Sequence, residues 1–249
     1  MSTDLRQRPA PATLVTWAPG TADGPALICL PWAGASAVVF RTWASAFPED
    51  VGVYGVRLPG RENRMAEPAL TDVAEVIEEV RRAIDTLPHE RIALFGHCSG
   101  ALVAFELARE LGPAVVQLSV ASQLPPAQAA RAADEELVSR EQLARRYLDR
   151  ELLDEPDIVQ LLLPVLEADM QAISMYRYRE GPLQDVPLAV FRGTADEEIG
   201  LDDIIGWHAQ TTGHAQIREL AGADHLFSGP AWTGLAACVA EELGAALRR

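Results

Sequence analysis

Two patterns alternate along the chain: short, wholly apolar runs, and longer stretches in which apolar residues recur every three or four positions. ALICL at 26–30 stops at Pro31, and VGVYGV at 51–56 stops at LPGR. RIALFG at 91–96, AVVQLSV at 114–120, PLAVFRG at 187–193 and AQIREL at 215–220 follow. Runs this short and this apolar predict strands buried on both faces, as in a parallel sheet. TDVAEVIEEVRRAIDTL at 71–87 instead places Val73, Val76, Ile77, Val80, Ile84 and Leu87 on one helical face, behind a Thr-Asp start suited to capping. Residues 98–111 and 230–248 predict helices as well. CLPWAGASA at 29–37 leads out of the first strand run toward another helix. Strands alternating with helices give an α/β fold.

One segment breaks the alternation. From about 123 to 181 no strand pattern occurs. DEELVSREQLARRYLDRELL is amphipathic through Leu137, Leu143, Tyr147 and Leu148. DIVQLLLPVLEADMQAISMYRY is amphipathic through Ile158, Leu161, Leu162, Val165, Leu166, Met170 and Ile173, with Pro164 removing one helical donor and bending the helix. A helical insertion between two strands is either a lid or an extra packing layer, and periodicity does not separate them. The expected organisation is one domain over 1–249 with a helical lid subdomain inserted at 123–185. Residues 1–12 read as a loose arm.

Charge narrows the partners. The 249 residues carry 36 acidic side chains against 21 arginines and no lysine, a net charge of −15. A surface this acidic argues against nucleic acid or an anionic membrane as the main partner, though not against a local arginine patch. Three scattered cysteines, Cys29, Cys98 and Cys238, form neither a disulfide framework nor a zinc site, so no metal is expected. Reduced thiols, no apolar signal core near residue 1 and no run approaching a membrane span lead to the expectation of a cytoplasmic protein.

The chemistry gathers at Gly96-His97-Cys98-Ser99-Gly100, which fits G-x-[S/C]-x-G between a strand and a helix. A nucleophile on that sharp turn needs small neighbours, and the following helix directs its N-terminal N–H groups at a thiolate or a developing oxyanion. Cys98 is the candidate nucleophile; Cys29 and Cys238, in apolar strand and helix contexts, read as structural. A nucleophile needs a base and a group that orients the base. His225, in a Gly-rich loop after the last strand run, and Asp196, just past the fifth, supply them in the order nucleophile, acid, histidine. Glu197, Glu198 and Asp224 are rival acids, and His89, His97, His208 and His214 read as ordinary core or surface histidines. The loop after the first strand run supplies one oxyanion N–H and the residue after the nucleophile the other, which selects Ala33 and Ser99.

With these pieces in place, the chain resembles the discrete (type II) thioesterases that serve polyketide synthases and nonribosomal peptide synthetases. LPWAGASA, VRLPGRENR, FGHCSGA, LLLPVLEAD with YRY, FRGTAD and GADHLF carry the likeness, over about 27 to 243. The resemblance implies an α/β-hydrolase fold, with a mostly parallel sheet flanked by helices and a helical lid. It implies acyl groups taken from the phosphopantetheine thiol of an acyl or peptidyl carrier protein, with no cofactor of the enzyme's own. It also implies the triad Cys98, Asp196 and His225, with Ala33 and Ser99 at the oxyanion hole. Four positions depart from the family: Cys98 stands for its serine, Trp32 for a His or Tyr, Asp224 for a Gly and Glu197-Glu198 for a Pro-led stretch. Trp32 is thereby marked as a substrate-binding position.

A cysteine changes the reaction's options. Its acyl-enzyme is itself a thioester, still activated toward an amine, thiol or enolate as well as water. The expected function is hydrolytic editing or product release, with acyl transfer or cyclisation through the same thioester as the alternative. A dienelactone-hydrolase-like small-ester hydrolase, a non-catalytic carrier-binding module and a polyester-synthase-like transferase fit less well. The carrier is itself acidic, so docking on this acidic chain calls for arginines: Arg57, Arg61 and Arg64 near the expected mouth, and Arg140, Arg145, Arg146 and Arg150 on the insertion.

Overall fold

The computed structural model describes residues 12–132 and 155–249. Seven strands form one sheet in the order β1-β3-β2-β4-β5-β6-β7. They are β1 Leu14–Ala18, β2 Ala26–Leu30, β3 Gly52–Val56, β4 Ile92–His97, β5 Val115–Ala121, β6 Leu188–Gly193 and β7 Ala215–Leu220. All pairings are parallel except β1 with β3. This is the mostly parallel α/β arrangement that the apolar runs predicted, with the central strands buried on both faces.

The strand residues alternate between two cores. Ile28, Leu30, Leu94, Leu118 and Val190 pack on one face. Val76, Ile77, Val80 and Ile84 of α1 (Val73–Ile84) join them, as do Val103, Phe105 and Leu107 of α2 (Ser99–Leu111). Each such side chain contributes about 1.5–3 kcal/mol when fully buried. Asp72 caps α1 by accepting from Ala74 N–H at 2.7 Å, as the Thr-Asp start implied. Leu27, Cys29, Phe95 and Phe191 face the other side, against Leu235, Val239 and Leu243 of the C-terminal helix Pro230–Leu247.

Between β5 and β6, α3 (Pro126–Ala132) and α4 (Pro156–Ser174) are the described helices. α4 runs through Pro164 as one helix. Just past its end, Tyr176 donates to Glu106 of α2 at 2.7 Å. The first amphipathic stretch of the insertion, with Arg140, Arg145, Arg146 and Arg150, lies outside the described residues. So does most of the N-terminal arm. The last two helices are α5 (Leu201–Ile204) and α6 (Pro230–Leu247).

Two local expectations fail. β1 was not foreseen, because it is an antiparallel edge strand, half-exposed beyond Leu14, and has no continuous apolar run. The chain after β2 forms two short 3-10 turns, Ala37–Phe40 and Trp43–Ala46, rather than an α-helix. Phe40 and Trp43 are fully buried there, so packing of large rings, not helical propensity, sets that segment.

Candidate active site

The parallel strands bring every chemically marked loop to one edge of the sheet, where α/β sites collect. Cys98 follows β4, Asp196 follows β6 and His225 follows β7. The Trp32–Ala33 loop follows β2, and Arg61 lies beyond β3.

Cys98 sits at φ +50°, ψ −124°, where a non-glycine residue is strained. Its N–H is held by Ala121 C=O at 2.8 Å, which prolongs the β4–β5 ladder into the turn. The two glycines are required by close approach. A Cβ on Gly96 would lie 2.4 Å from Gly100 O, and one on Gly100 would lie 2.4 Å from Pro31 O. Cys98 is 7% exposed and packs with Ala33 and Leu166. Ser99 opens α2, where N-terminal N–H groups lack intrahelical partners.

His225 Nδ1–H donates to Asp196, with both carboxylate oxygens at 3.1 Å. The second nitrogen, Nε2, is buried without a conventional hydrogen-bond partner among the described residues. Burial works against charge on His225, but the interactions with Asp196 and with the nearby Cys98 outweigh it and push the imidazole up to about 10. Asp196 is likewise desolvated, yet it is lowered to about 2 by His225, Glu198 N–H and Ser122. Its Oδ1 accepts from Glu198 N at 2.9 Å and Ile199 N at 3.1 Å, and its Oδ2 from Ser122 Oγ at 2.8 Å. Four donors for one buried carboxylate explain why it stays ionised in the interior.

The rival acids sort themselves by geometry. Glu198 lies farther from His225, at 3.6 Å. Asp224 turns away and accepts from Ser228 N–H at 2.8 Å. Cys29 is fully buried in β2, where desolvation pushes its thiol well up. The half-buried Cys238 thiol of α6 is raised as well, also chiefly by burial.

His97 is not an ordinary core histidine. It is fully buried, and burial beside His225 lowers it to about 3, so it stays neutral. Its Nε2–H donates to the His225 carbonyl at 2.8 Å and so holds the loop that presents His225. Trp32 stands edge-on to His97 at 5.1 Å and to Trp232 at 5.6 Å.

A pocket of about 450 Å3, its solvent-facing part included, opens beside the elbow. Trp32, Ser99 and Gly100 line it, and Val56, Val73, Val103 and Ile173 are among its apolar walls.

The arginines near the mouth are a correction. Arg61 is 6% and Arg64 7% exposed, and both are consumed internally. Arg61 makes a bidentate pair with Asp169, at 2.7 and 2.9 Å. Arg64 binds Glu67, Glu79, Thr13 and the Arg57 carbonyl. Arg57 itself binds Glu62 and the Ala12 carbonyl. A docking patch cannot be made of side chains already spent inside the fold. The sequence reading also passed over Asp169 and Ser122. For Asp169 a signal existed: three residues after Leu166 and four after Val165, it puts a carboxylate on the apolar stripe of α4. Ser122 had none, because only β5–β6 pairing brings it to Asp196.

The family model for the thioesterase domain matches residues 25–230. The chain belongs to the thioesterase-domain family. This thioesterase is 32% identical over 212 residues to the gramicidin S biosynthesis protein GrsT of Aneurinibacillus migulanus, across 81% of this chain and 82% of that one. It is 33% identical over 215 residues to thioesterase PikA5 of Streptomyces venezuelae, across 83% and 76%. Among solved structures, RedJ, a thioesterase of the prodiginine pathway of Streptomyces coelicolor, superposes with a TM-score of 0.78 at 29% identity, covering 96% of this chain and 98% of that one. The type II thioesterase BorB of the borrelidin cluster gives 0.77 at 29% identity, covering 93% and 96%. The fold is that of the α/β-hydrolases, and the enzyme is a thioester hydrolase by class.

Proposed function

We propose that this enzyme removes acyl groups from phosphopantetheine thioesters on carrier proteins of nonribosomal peptide or polyketide assembly lines, through an acyl-Cys98 intermediate. The observation that carries the reading is the strained Cys98 turn, set beside the His225–Asp196 pair and an apolar pocket. The likeness to GrsT, PikA5 and BorB supplies the assembly-line context.

In this reading Cys98 has already passed its thiol proton to His225 Nε2, and the thiolate of that ion pair attacks the thioester carbonyl. The oxyanion is met by the N–H groups of Ala33 and Ser99. Collapse breaks the C–S bond to phosphopantetheine, and His225 returns the proton to that leaving thiol. Water then attacks the acyl-Cys98 thioester with His225 as base, releasing the free acid and the Cys98 thiol. Asp196 stays ionised throughout, holding the imidazole by Nδ1 and stabilising its cation. Trp32 lines the acyl channel. The chemistry calls for no metal and no cofactor beyond the carrier's own arm. Residues 123–185 act as the lid of a single domain over 1–249, in the cytoplasm.

The thiol favours a second reading for the last step. Because the intermediate remains a thioester, an amine, thiol or enolate in place of water would give transfer or cyclisation. Intact-protein mass spectrometry with an acyl-carrier substrate tests the first step. An acyl adduct that Cys98→Ala abolishes is expected, and turnover surviving in Cys98→Ala would sink the mechanism. Product analysis with Cys98→Ser separates the second step: hydrolysis by both forms means editing, whereas a non-hydrolytic product of the Cys form alone means transfer.

A further inference from the structure

α4 carries one charge on its apolar stripe, and that charge reaches into the loop at the nucleophile. Asp169 is 9% exposed and its carboxylate has three partners. Oδ2 accepts from Gly34 N–H at 2.7 Å. Arg61 holds both oxygens, and the same Arg61 Nη1 donates to Ala35 C=O at 2.8 Å. The ion pair therefore grips the loop at the two residues directly after Ala33. One turn earlier, Leu166 is fully buried against Ala33 and Cys98. Its Cβ lies 3.3 Å from where a Cβ on Gly34 would stand. A single helix thus touches the loop through an apolar contact at Leu166 and through a hydrogen bond from Gly34 N–H to a carboxylate that Arg61 pairs.

The consequence is directional. Gly34 N–H is committed to Asp169 and is not available to an oxyanion. The Ala33 N–H belongs to the preceding Trp32–Ala33 peptide, whose C=O accepts from Ala35 N–H at 3.1 Å; with Gly34 N–H and Ala35 C=O anchored as well, that peptide has little freedom to rotate. The same α4 also lines the acyl pocket through Asp169, Ala172 and Ile173.

We propose that Asp169, with Arg61, is a positioning pair: seated against the loop, α4 aims the Ala33 N–H at the carbonyl oxygen over Cys98, so acylation requires this helix in place. The inference rests on Cys98 being the acylated residue. It goes beyond that reading by assigning the oxyanion geometry to a side chain on the inserted helix, remote in sequence from every reacting group.

The test compares two reactions of the same sulfur. Acylation by a hexanoyl-N-acetylcysteamine thioester passes through a tetrahedral oxyanion. Alkylation by iodoacetamide is a direct displacement and does not. Both are followed by intact mass in the wild type, in Asp169→Asn and in the double variant Arg61→Met/Asp169→Leu, which removes both charges and spares the fold an unpaired ion. The double variant is expected to acylate about 10- to 100-fold more slowly, the range for a misaimed oxyanion donor, with alkylation unchanged. Asp169→Asn keeps one acceptor for Gly34 N–H and should fall between. Acylation that stays at the wild-type rate in the double variant, or acylation and alkylation that fall together, overturns the proposal. Wild-type acyl turnover in Cys98→Ala would instead overturn the nucleophile assignment on which it rests.

Discussion

The two sides of the site are built in different ways. On one side, Cys98, Asp196 and His225 hang from the ends of three parallel strands, and the supports of the elbow and its acid are largely backbone groups: Ala121 C=O for Cys98, and Glu198 and Ile199 N–H for Asp196. On the other side, the loop at 32–36 is held by one carboxylate 135 residues along the chain and by one guanidinium 26 residues along it. Neighbouring strands cannot move independently, so Cys98, Asp196 and His225 are fixed relative to one another by the sheet itself. The loop has no ladder, and its position depends on whether α4 is docked. The difference teaches where to look for robustness and where for control: the arrangement of Cys98, Asp196 and His225 should tolerate perturbation of the insertion, and the loop at 32–36 should not.

The comparison can be broken at several points. The largest effect belongs to Asp196→Asn, which removes the charge that orients and raises His225. Acyl turnover should fall about 10⁴-fold with little loss of secondary structure by circular dichroism. A fall of less than tenfold would mean that Glu198, 3.6 Å from His225, serves in its place.

His97→Leu comes next. It leaves the His225 carbonyl without its donor and the base without a fixed loop. Turnover should drop about tenfold and stability by about 1–2 kcal/mol. Unlike the loop clamp, this change should slow iodoacetamide alkylation of Cys98 as well as acylation, since it displaces the base that both share.

The pH dependence of thermal stability is a smaller and more diagnostic effect. His225 is raised from 6.5 to about 10, so its stabilisation is complete below 6.5, shrinks as pH rises above that value and is gone once pH passes 10. Asp196 is lowered from 3.8 to about 2, so its share is present above 3.8 and is lost as pH falls through 2. A melting curve series from pH 6 to 10 should therefore decline in the wild type and flatten in Asp196→Asn. Equal slopes in the two would place the alkaline loss elsewhere.

The smallest effect is expected at Cys238→Ala. The thiol is half-buried in α6, away from both sides of the site. Stability should stay within about 0.5 kcal/mol and acylation unchanged, as for a substitution with no special partner. An activity loss there would show that the sheet side reaches further than the strand ends.

Much of the sheet side was legible in the chain. Each buried strand announced itself as an apolar run, because a strand covered on both faces can carry no polar alternation. The elbow was legible because its glycines answer to contacts within a few residues or with the adjacent strand end. His225 and Asp196 followed from order along the chain. The loop side was much less legible. Arg61 reads equally well as a surface cation until Asp169 is placed against it, and Arg64 until Glu67 and Glu79 are. The same holds for His97, whose partner is a carbonyl 128 residues away.

By itself, then, the sequence determined the alternation of strands and helices, the strained turn under Cys98 and the identity of its partners, since these depend on local periodicity, on close backbone approach and on a fixed order of loops. Only the tertiary structure decided which charges are spent inside the fold, which histidine holds the other in place, and that a helix in the insertion grips the loop after β2. Those are long-range pairings between polar groups, and their energy depends on burial and distance, quantities that no linear spacing encodes.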